Sequence, residues 1–315
     1  MNFDVDKRTV YKCIHGSRAY GTNTENSDTD IKGIAIAPKE IILGFNVGFE
    51  QQELMAHNGH PNDKTIYSLQ KFAKLASDCN PNIIEMLYVD DSDILFMDEF
   101  GAELRSVRDE FLSKRIKFTM SGYAFSQIKR MKTHRGWLLN PPSHQPTRQE
   151  FGLPETVKIS QSDMGAYHSL IEQNGNIELP HDIVQLFCAE KAYQSAKMYY
   201  DQYENWKNTR NKARAELEAK SNFDTKHGAH VIRLMRMCKE VLSTGKVNVK
   251  RPDREELLAI RNGAWAYERL IEEAEKNEKE CDELYKTSAL KKEPDRNKLN
   301  NIIVDITERY LRKYG

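Results

Sequence analysis

No apolar run in the 315-residue chain approaches the roughly 18 residues a membrane helix needs, so no membrane-spanning helix is expected. The opening residues, Met1 to Asp6, lack a basic stretch followed by an apolar one, and no secretory signal is expected. Cysteine is sparse: Cys13, Cys79, Cys188, Cys238 and Cys281 are widely spaced, with no C-x-x-C pair. That pattern argues against a disulfide framework or a cysteine zinc site, and for reduced thiols in a cytoplasmic setting. His57 and His60 stand three apart within turn chemistry and have no third partner in pattern, so a zinc site is not expected there. There is no internal repeat. The glycine-containing stretch Gly16-Ser17-Arg18-Ala19-Tyr20-Gly21 lacks the lysine of a P-loop and is not a G-x-G-x-x-G dinucleotide fingerprint. Acid is missing over one long stretch, between Glu110 and Glu150.

The remaining composition is that of a globular chain, with 39% hydrophobic and 30% charged residues. Net charge is zero but unevenly spread. Residues 1–112 carry 11 Lys/Arg against 19 Asp/Glu, and residues 113–315 carry 36 against 28. This suggests an acidic metal-binding half and a basic half facing a polyanion, or two solvated surfaces that attract each other.

Thr9 to Ile14 is rich in β-formers and predicts a strand leading into Gly16-Ser17. Asp28 to Ala37 alternates up to Pro38 and predicts a second strand. Ile66, Leu69, Phe72, Ala73 and Ala76 recur at helical spacing. From about residue 101 nearly every segment is helix-compatible: 103–118, 123–135, 186–218, 226–242, 254–284 and 299–313, with a proline-marked irregular connection between the second and third. The expected plan is α+β, a mixed sheet with helices over residues 1–112 followed by an α-helical domain over residues 113–315.

Asp28 and Asp30 lie one residue apart, and carboxylates at i and i+2 of a strand share a face. Such a pair repels itself unless neutralised, and a hard divalent cation is the natural partner. Gly16-Ser17 follows the preceding strand, where glycine lets backbone approach a phosphate and the serine hydroxyl adds a donor.

Strand, Gly-Ser, then a D-x-D strand resembles the DNA polymerase β superfamily. Further segments sharpen the likeness: Ser27-Asp28-Thr29-Asp30-Ile31-Lys32-Gly33, Asp63 to Phe72, Asn80-Pro81-Asn82-Ile83-Ile84-Glu85, Lys226-His227-Gly228-Ala229-His230-Val231-Ile232-Arg233-Leu234 and Ile260-Arg261-Asn262-Gly263. Together they resemble the RNA-ligase-associated polymerase-β-like family of predicted nucleotidyltransferases, in a version such as large phages carry. The likeness is thinnest over 136–185.

The resemblance implies a polymerase-β-type nucleotidyltransferase core and an enzyme that moves NMP from an NTP to an acceptor hydroxyl, at an RNA end under repair. It implies two Mg²⁺ (or Mn²⁺) ions on three carboxylates: Asp28, Asp30 and a third on a neighbouring strand. Asp63 is the choice for the third, with Glu53 the runner-up and Glu50 weaker; Asp63 as a helix cap is the alternative. Gly16 and Ser17 would hold phosphates. Arg18 would pair with phosphate or be solvated. Lys226, His230 and Arg233, at i, i+4 and i+7, would turn one helical face to the nucleotide, or be a basic solvent face. Lys129, Lys132 and Arg135 predict a nucleic-acid-facing surface, with Phe125, Ile128 and Met131 packing against the body; Trp137 is expected to be buried. Nucleotidylation of a small molecule or protein, and a non-catalytic nucleotide- or RNA-binding module, are the competing functions.

Overall fold

The structure, a computed structural model, describes residues 3–25, 27–45, 48–55, 62–155, 160, 163, 165, 169, 181–210 and 212–315. His57 and His60 lie outside the described residues. The chain divides into two compact units: Met1–Met131 with Asp224–Gly315, and Lys132–Phe223.

The first unit is built on a five-stranded mixed sheet in the order β3-β4-β2-β1-β5. Strand β1 (Thr9–His15) ends at helix α1 (Gly16–Tyr20) and pairs antiparallel with β2 (Asp30–Ala35), which sets His15 opposite Asp30. Strand β4 (Asp63–Ser68) lies parallel to β2, with Asp63 opposite Asp30. The edges are β3 (Gln51–Leu54), antiparallel to β4, and β5 (Ile94–Met97), antiparallel to β1. The short helix α2 (Lys39–Ile42) follows β2. Helix α3 (Leu69–Ser77) starts where the Ser68 hydroxyl accepts the Lys71 N–H at 3.1 Å, and buries Leu69, Phe72 and Ala76. Asn80 caps α4 (Pro81–Ile84), with proline in its first turn. Helix α5 (Glu99–Ser106) is capped by Asp98.

The expected strand from Asp28 begins only at Asp30; Asp28 stands in the loop before it. The expected 103–118 helix is broken, since α5 ends at Ser106 and the long helix α6 (Ile116–Leu139) starts ten residues on.

Four helices after residue 223 belong to the first unit: α9 (Thr225–Thr244), α10 (Arg254–Arg261), α11 (Tyr267–Thr287) and α12 (Arg296–Tyr314). Asp224 caps α9, and Gly245, with φ of 68°, ends it. Where one helix was expected over 254–284, Gly263 at φ 86° separates α10 from α11. One buried cluster joins Val10, Tyr11 and Ile34 of the sheet to Met237, Cys238, Val241 and Leu242 of α9 and to Ile303, Ile306 and Tyr310 of α12. The compact unit that holds the sheet thus includes helices from both ends of the chain. Apolar stripes on α9 and α12 have their partner in the sheet, far back along the chain.

The second unit holds the end of α6, α7 (His181–Thr209) and α8 (Lys212–Ser221), two helices where one was expected over 186–218. Trp137 is buried, with the rings of His134, Tyr199, Tyr203 and Trp206 all within 6.0 Å, centre to centre. Arg148 grips Glu190 with two bonds of 2.9 and 2.8 Å and lies over Tyr193.

Candidate active site

Asp28, Asp30 and Asp63 converge. One carboxylate oxygen from each lies within 4.8 Å of the other two, with Asp28 exposed and the others half-buried. The parallel β2–β4 register brings Asp63 beside Asp30. Burial first, and then the Asp28 carboxylate, raise the Asp30 pKa above its ordinary value; the charges of Lys32 and Lys226 work against that rise. An oxygen-only donor set held against its own repulsion fits a hard divalent cation.

Gly16 is shaped by this cluster. Its φ is +65°, and a Cβ there would come within 2.0 Å of Asp30 Oδ2. Glycine alone gives both the left-handed turn and the approach to the carboxylate. Ser17 follows it in the first turn of α1 and is half-buried. The Arg18 guanidinium donates to the backbone carbonyls of Ser27, at 2.8 Å, and Asp28, at 3.2 Å. It thereby fixes the turn that carries Asp28. The far end of α1 is held by residues from late in the chain: Arg261 donates to Thr22 O at 2.8 Å, and the Arg251 N–H, in the connection between α9 and α10, donates to Tyr20 O at 3.1 Å.

The predicted trio on α9 separates. Lys226 is exposed, and its charge acts on Asp30. His230 is half-buried, and burial holds its imidazole well below the ordinary histidine pKa, hence neutral at pH 7. Arg233 is 3% exposed and donates to the fully buried Glu85 at 2.7 Å. The Arg233 guanidinium stacks 3.8 Å over the Tyr20 ring, whose hydroxyl donates to the other Glu85 oxygen at 2.6 Å. His15 Nε2 lies 3.5 Å from that oxygen, but burial keeps the ring neutral. Arg233 thus does not lie on an open basic face. It is neutralised beneath α1, where seven-residue spacing alone pointed outward.

Glu85 has no role in the sequence reading. Its signal was a lone acid in the apolar run Ile83 to Leu87. Lys32, two residues beyond Asp30, is another such residue: it donates to Asn82 O at 3.0 Å, and burial lowers its pKa. Glu53 pairs with Thr65, two residues along β4 from Asp63, and is exposed and bonded to Gln51. Glu50 pairs with Lys71 at 2.9 Å. Lys129 of the first unit is exposed. In the second unit Lys132 is exposed and Arg135 half-buried. Met131 is buried and Ile128 half-buried as expected, but Phe125 is 41% exposed. No helix among the described residues is long and apolar enough to cross a membrane.

Residues 2–139 match the family model described as RlaP, RNA repair pathway DNA polymerase beta family. Over those residues, less than half of the 315-residue chain, it is similar to that family. The matched segment contains all three aspartates, Gly16-Ser17 and Glu85. Among curated proteins, the chain is 37% identical over 86 residues to an uncharacterized 38.9 kDa protein from the nrdC-mobD intergenic region of Enterobacteria phage T4. That match spans 26% of each chain, about a quarter of the relative's length. No solved structure matches.

Proposed function

We propose that the chain is a metal-dependent nucleotidyltransferase that transfers NMP from an NTP to the hydroxyl of an RNA end. The observation that carries this reading is the convergence of Asp28, Asp30 and Asp63 against a glycine that their geometry requires. In this reading Asp28, Asp30 and Asp63 would together hold the Mg²⁺ (or Mn²⁺) ions, two in number, with Asp63 serving acceptor activation. Bound there, the cations neutralise charge on the leaving pyrophosphate and lower the pKa of the attacking hydroxyl. The acceptor oxygen bonds to the α-phosphorus in line as the bond to pyrophosphate breaks.

The Gly16-Ser17 turn takes the β- and γ-phosphates, and Lys226 adds positive charge on that side. Arg18 acts by holding the Asp28 turn, Arg233 by seating α1, and His230 as a neutral wall beside Arg233. Catalysis belongs to residues 1–112, and substrate handling to the helices of residues 113–315. Lys129, Lys132 and Arg135 contribute cations toward the RNA. The RNA acceptor is supported by the RNA repair description of the matched family.

The test incubates the protein with each α-labelled NTP, Mg²⁺ or Mn²⁺ and a mixed RNA pool. Asp28→Asn and Asp30→Asn should each lower transfer by about 100-fold or more. Asp63→Asn should abolish transfer but keep NTP binding, while Glu53→Gln should be mild. Wild-type turnover in both Asp28→Asn and Asp30→Asn would refute the assignment, and a more severe loss in Glu53→Gln than in Asp63→Asn would move the third ligand to Glu53. Label on protein or a small molecule, with none on RNA, would replace the acceptor.

A further inference from the structure

Helix α6 carries apolar residues on both its faces. Met120, Ala124, Gln127 and Met131 are buried, at steps of four, three and four residues. On the opposite side Phe118, Phe125 and Lys129 follow one another at steps of seven and four, which keeps them in one line along the helix. Phe118 is 58% exposed, Phe125 is 41% exposed, and Lys129 is exposed. Gly122 lies between the two phenylalanines, and a Cβ there would meet nothing within 4 Å, so the surface between the rings is open. Along the flank run Tyr123, 37% exposed, and Arg130, exposed, seven residues apart.

A single exposed phenylalanine needs no explanation. Two exposed phenylalanines in line with a lysine, with a third exposed aromatic and an arginine on the flank, are a different matter, because exposing such rings gives up the folding free energy that their burial would supply. The helix itself is free of acid, as is the sequence between Glu110 and Glu150. Beside Phe118 the Lys117 ammonium lies over the ring and is paired with Glu278 and Asp282, and further along the helix Lys129 and Arg130 supply positive charge. The flank of this helix leads toward the candidate active site. Tyr123 meets the His230 ring edge-to-face at 5.4 Å, His230 Nδ1 lies 3.2 Å from Arg233 Nη2, and Lys226, one turn before His230, acts on Asp30. Phe118 is held edge-on to Tyr285, with ring centres 5.3 Å apart, and carries the Lys117 ammonium 5.3 Å from its ring centre, yet stays 58% exposed.

We propose that this face of α6 is the track of a single-stranded RNA acceptor, with bases stacking on Phe118 and Phe125 and phosphates held by Lys129 and Arg130. Aromatic faces interleaved with cations match the two parts of an unpaired strand, its bases and its backbone. A duplex keeps its bases stacked on each other and offers the phenylalanines nothing. The proposal rests on the RNA-acceptor reading above and adds where the strand lies and in what form it is bound.

The test is fluorescence anisotropy of the full chain with a fluorescein-labelled oligouridylate, alone and annealed to its complement, without NTP or metal. Phe118→Ala and Phe125→Ala should each weaken single-strand binding by about 5- to 150-fold. Phe125→Tyr should keep it. Lys129→Ala and Arg130→Ala should each flatten the log–log salt dependence by about 0.7. All should melt close to wild type. Phe125→Ala binding as tightly as wild type, or annealed RNA binding as tightly as the single strand, would overturn the proposal. So would a change in oligomeric state on Phe125→Ala with RNA affinity intact, which would mark the face as a protein contact. Because no nucleotide is transferred in this assay, a chain that labels no RNA end but loses single-strand binding in Phe125→Ala would sink the transfer reading and leave the track standing.

Discussion

Replacing Arg233 with methionine removes a guanidinium that is 3% exposed and leaves Glu85, fully buried, without its ion-pair partner and with only the more distant Lys32 charge to offset it. In the intact protein one Glu85 oxygen accepts from Arg233 at 2.7 Å and the other from the Tyr20 hydroxyl at 2.6 Å. After the substitution only the tyrosine bond remains, since the neutral His15 ring brings no charge. Breaking a buried pair from one side costs about 3–5 kcal/mol. For a unit of this size each kcal/mol moves the melting temperature by about 2–4 °C, so Arg233→Met should melt about 6–20 °C lower. Glu85→Gln should be comparably costly, because it strands the arginine. The double variant removes both charges and should recover most of the loss, a coupling that a double-mutant cycle measures directly. Thermal unfolding followed by near-ultraviolet circular dichroism reads stability, and a fluorescent NTP analogue reads binding below the melting range. If Arg233 supports α1 without touching nucleotide, the double variant should bind the analogue within a few-fold of wild type. An Arg233→Met protein that melts within about 2 °C of wild type yet loses NTP affinity tenfold or more would make Arg233 a phosphate ligand and refute the reasoning.

Asp30 offers a test by pH. Its pKa is raised in the fold by burial and by Asp28, so the metal-free protein gains stability as the carboxylate is protonated and loses it as pH climbs through the raised value. Metal-free Asp30→Asn should therefore melt above wild type at neutral pH, with the advantage fading below about pH 4, and added Mg²⁺ should reverse the order; a wild-type advantage at neutral pH without metal would contradict the crowding. Gly16→Ala should cost stability and activity together, since its φ of +65° is unfavourable for alanine and the new methyl would press on Asp30 Oδ2. An alanine variant with unchanged melting temperature and turnover would show that the turn is not constrained by the carboxylate.

Local chemistry made part of the site legible in the sequence. Asp28 and Asp30 are adjacent in the chain, and Gly16 announces a turn by its own lack of a Cβ. Asp63 was reached through the resemblance, and the parallel register of β2 with β4 brings it beside Asp30. The start of the Asp30 strand was misjudged by two residues because an alternating pattern does not say where pairing begins. The break between α10 and α11 at Gly263 was missed because apolar spacing runs on through it.

Whatever depended on distant partners was not legible. Helical spacing put Lys226, His230 and Arg233 in one line but could not say that Glu85, 148 residues away from Arg233, would claim the last of them. It gave Phe125 a place against the body because a phenylalanine belongs in a core, and only the packing of α6 through Met120, Ala124 and Met131 turned that ring outward. The cover of the late helices was hidden in the same way. An apolar stripe specifies that a helix must be covered, not by what, and α9 and α12 find their cover on the sheet laid down at the start of the chain. Sequence determined the chemistry at each position and the elements that local periodicity can write; tertiary structure decided which charges are spent on each other and which are left to meet a substrate, because only contacts across the chain set burial.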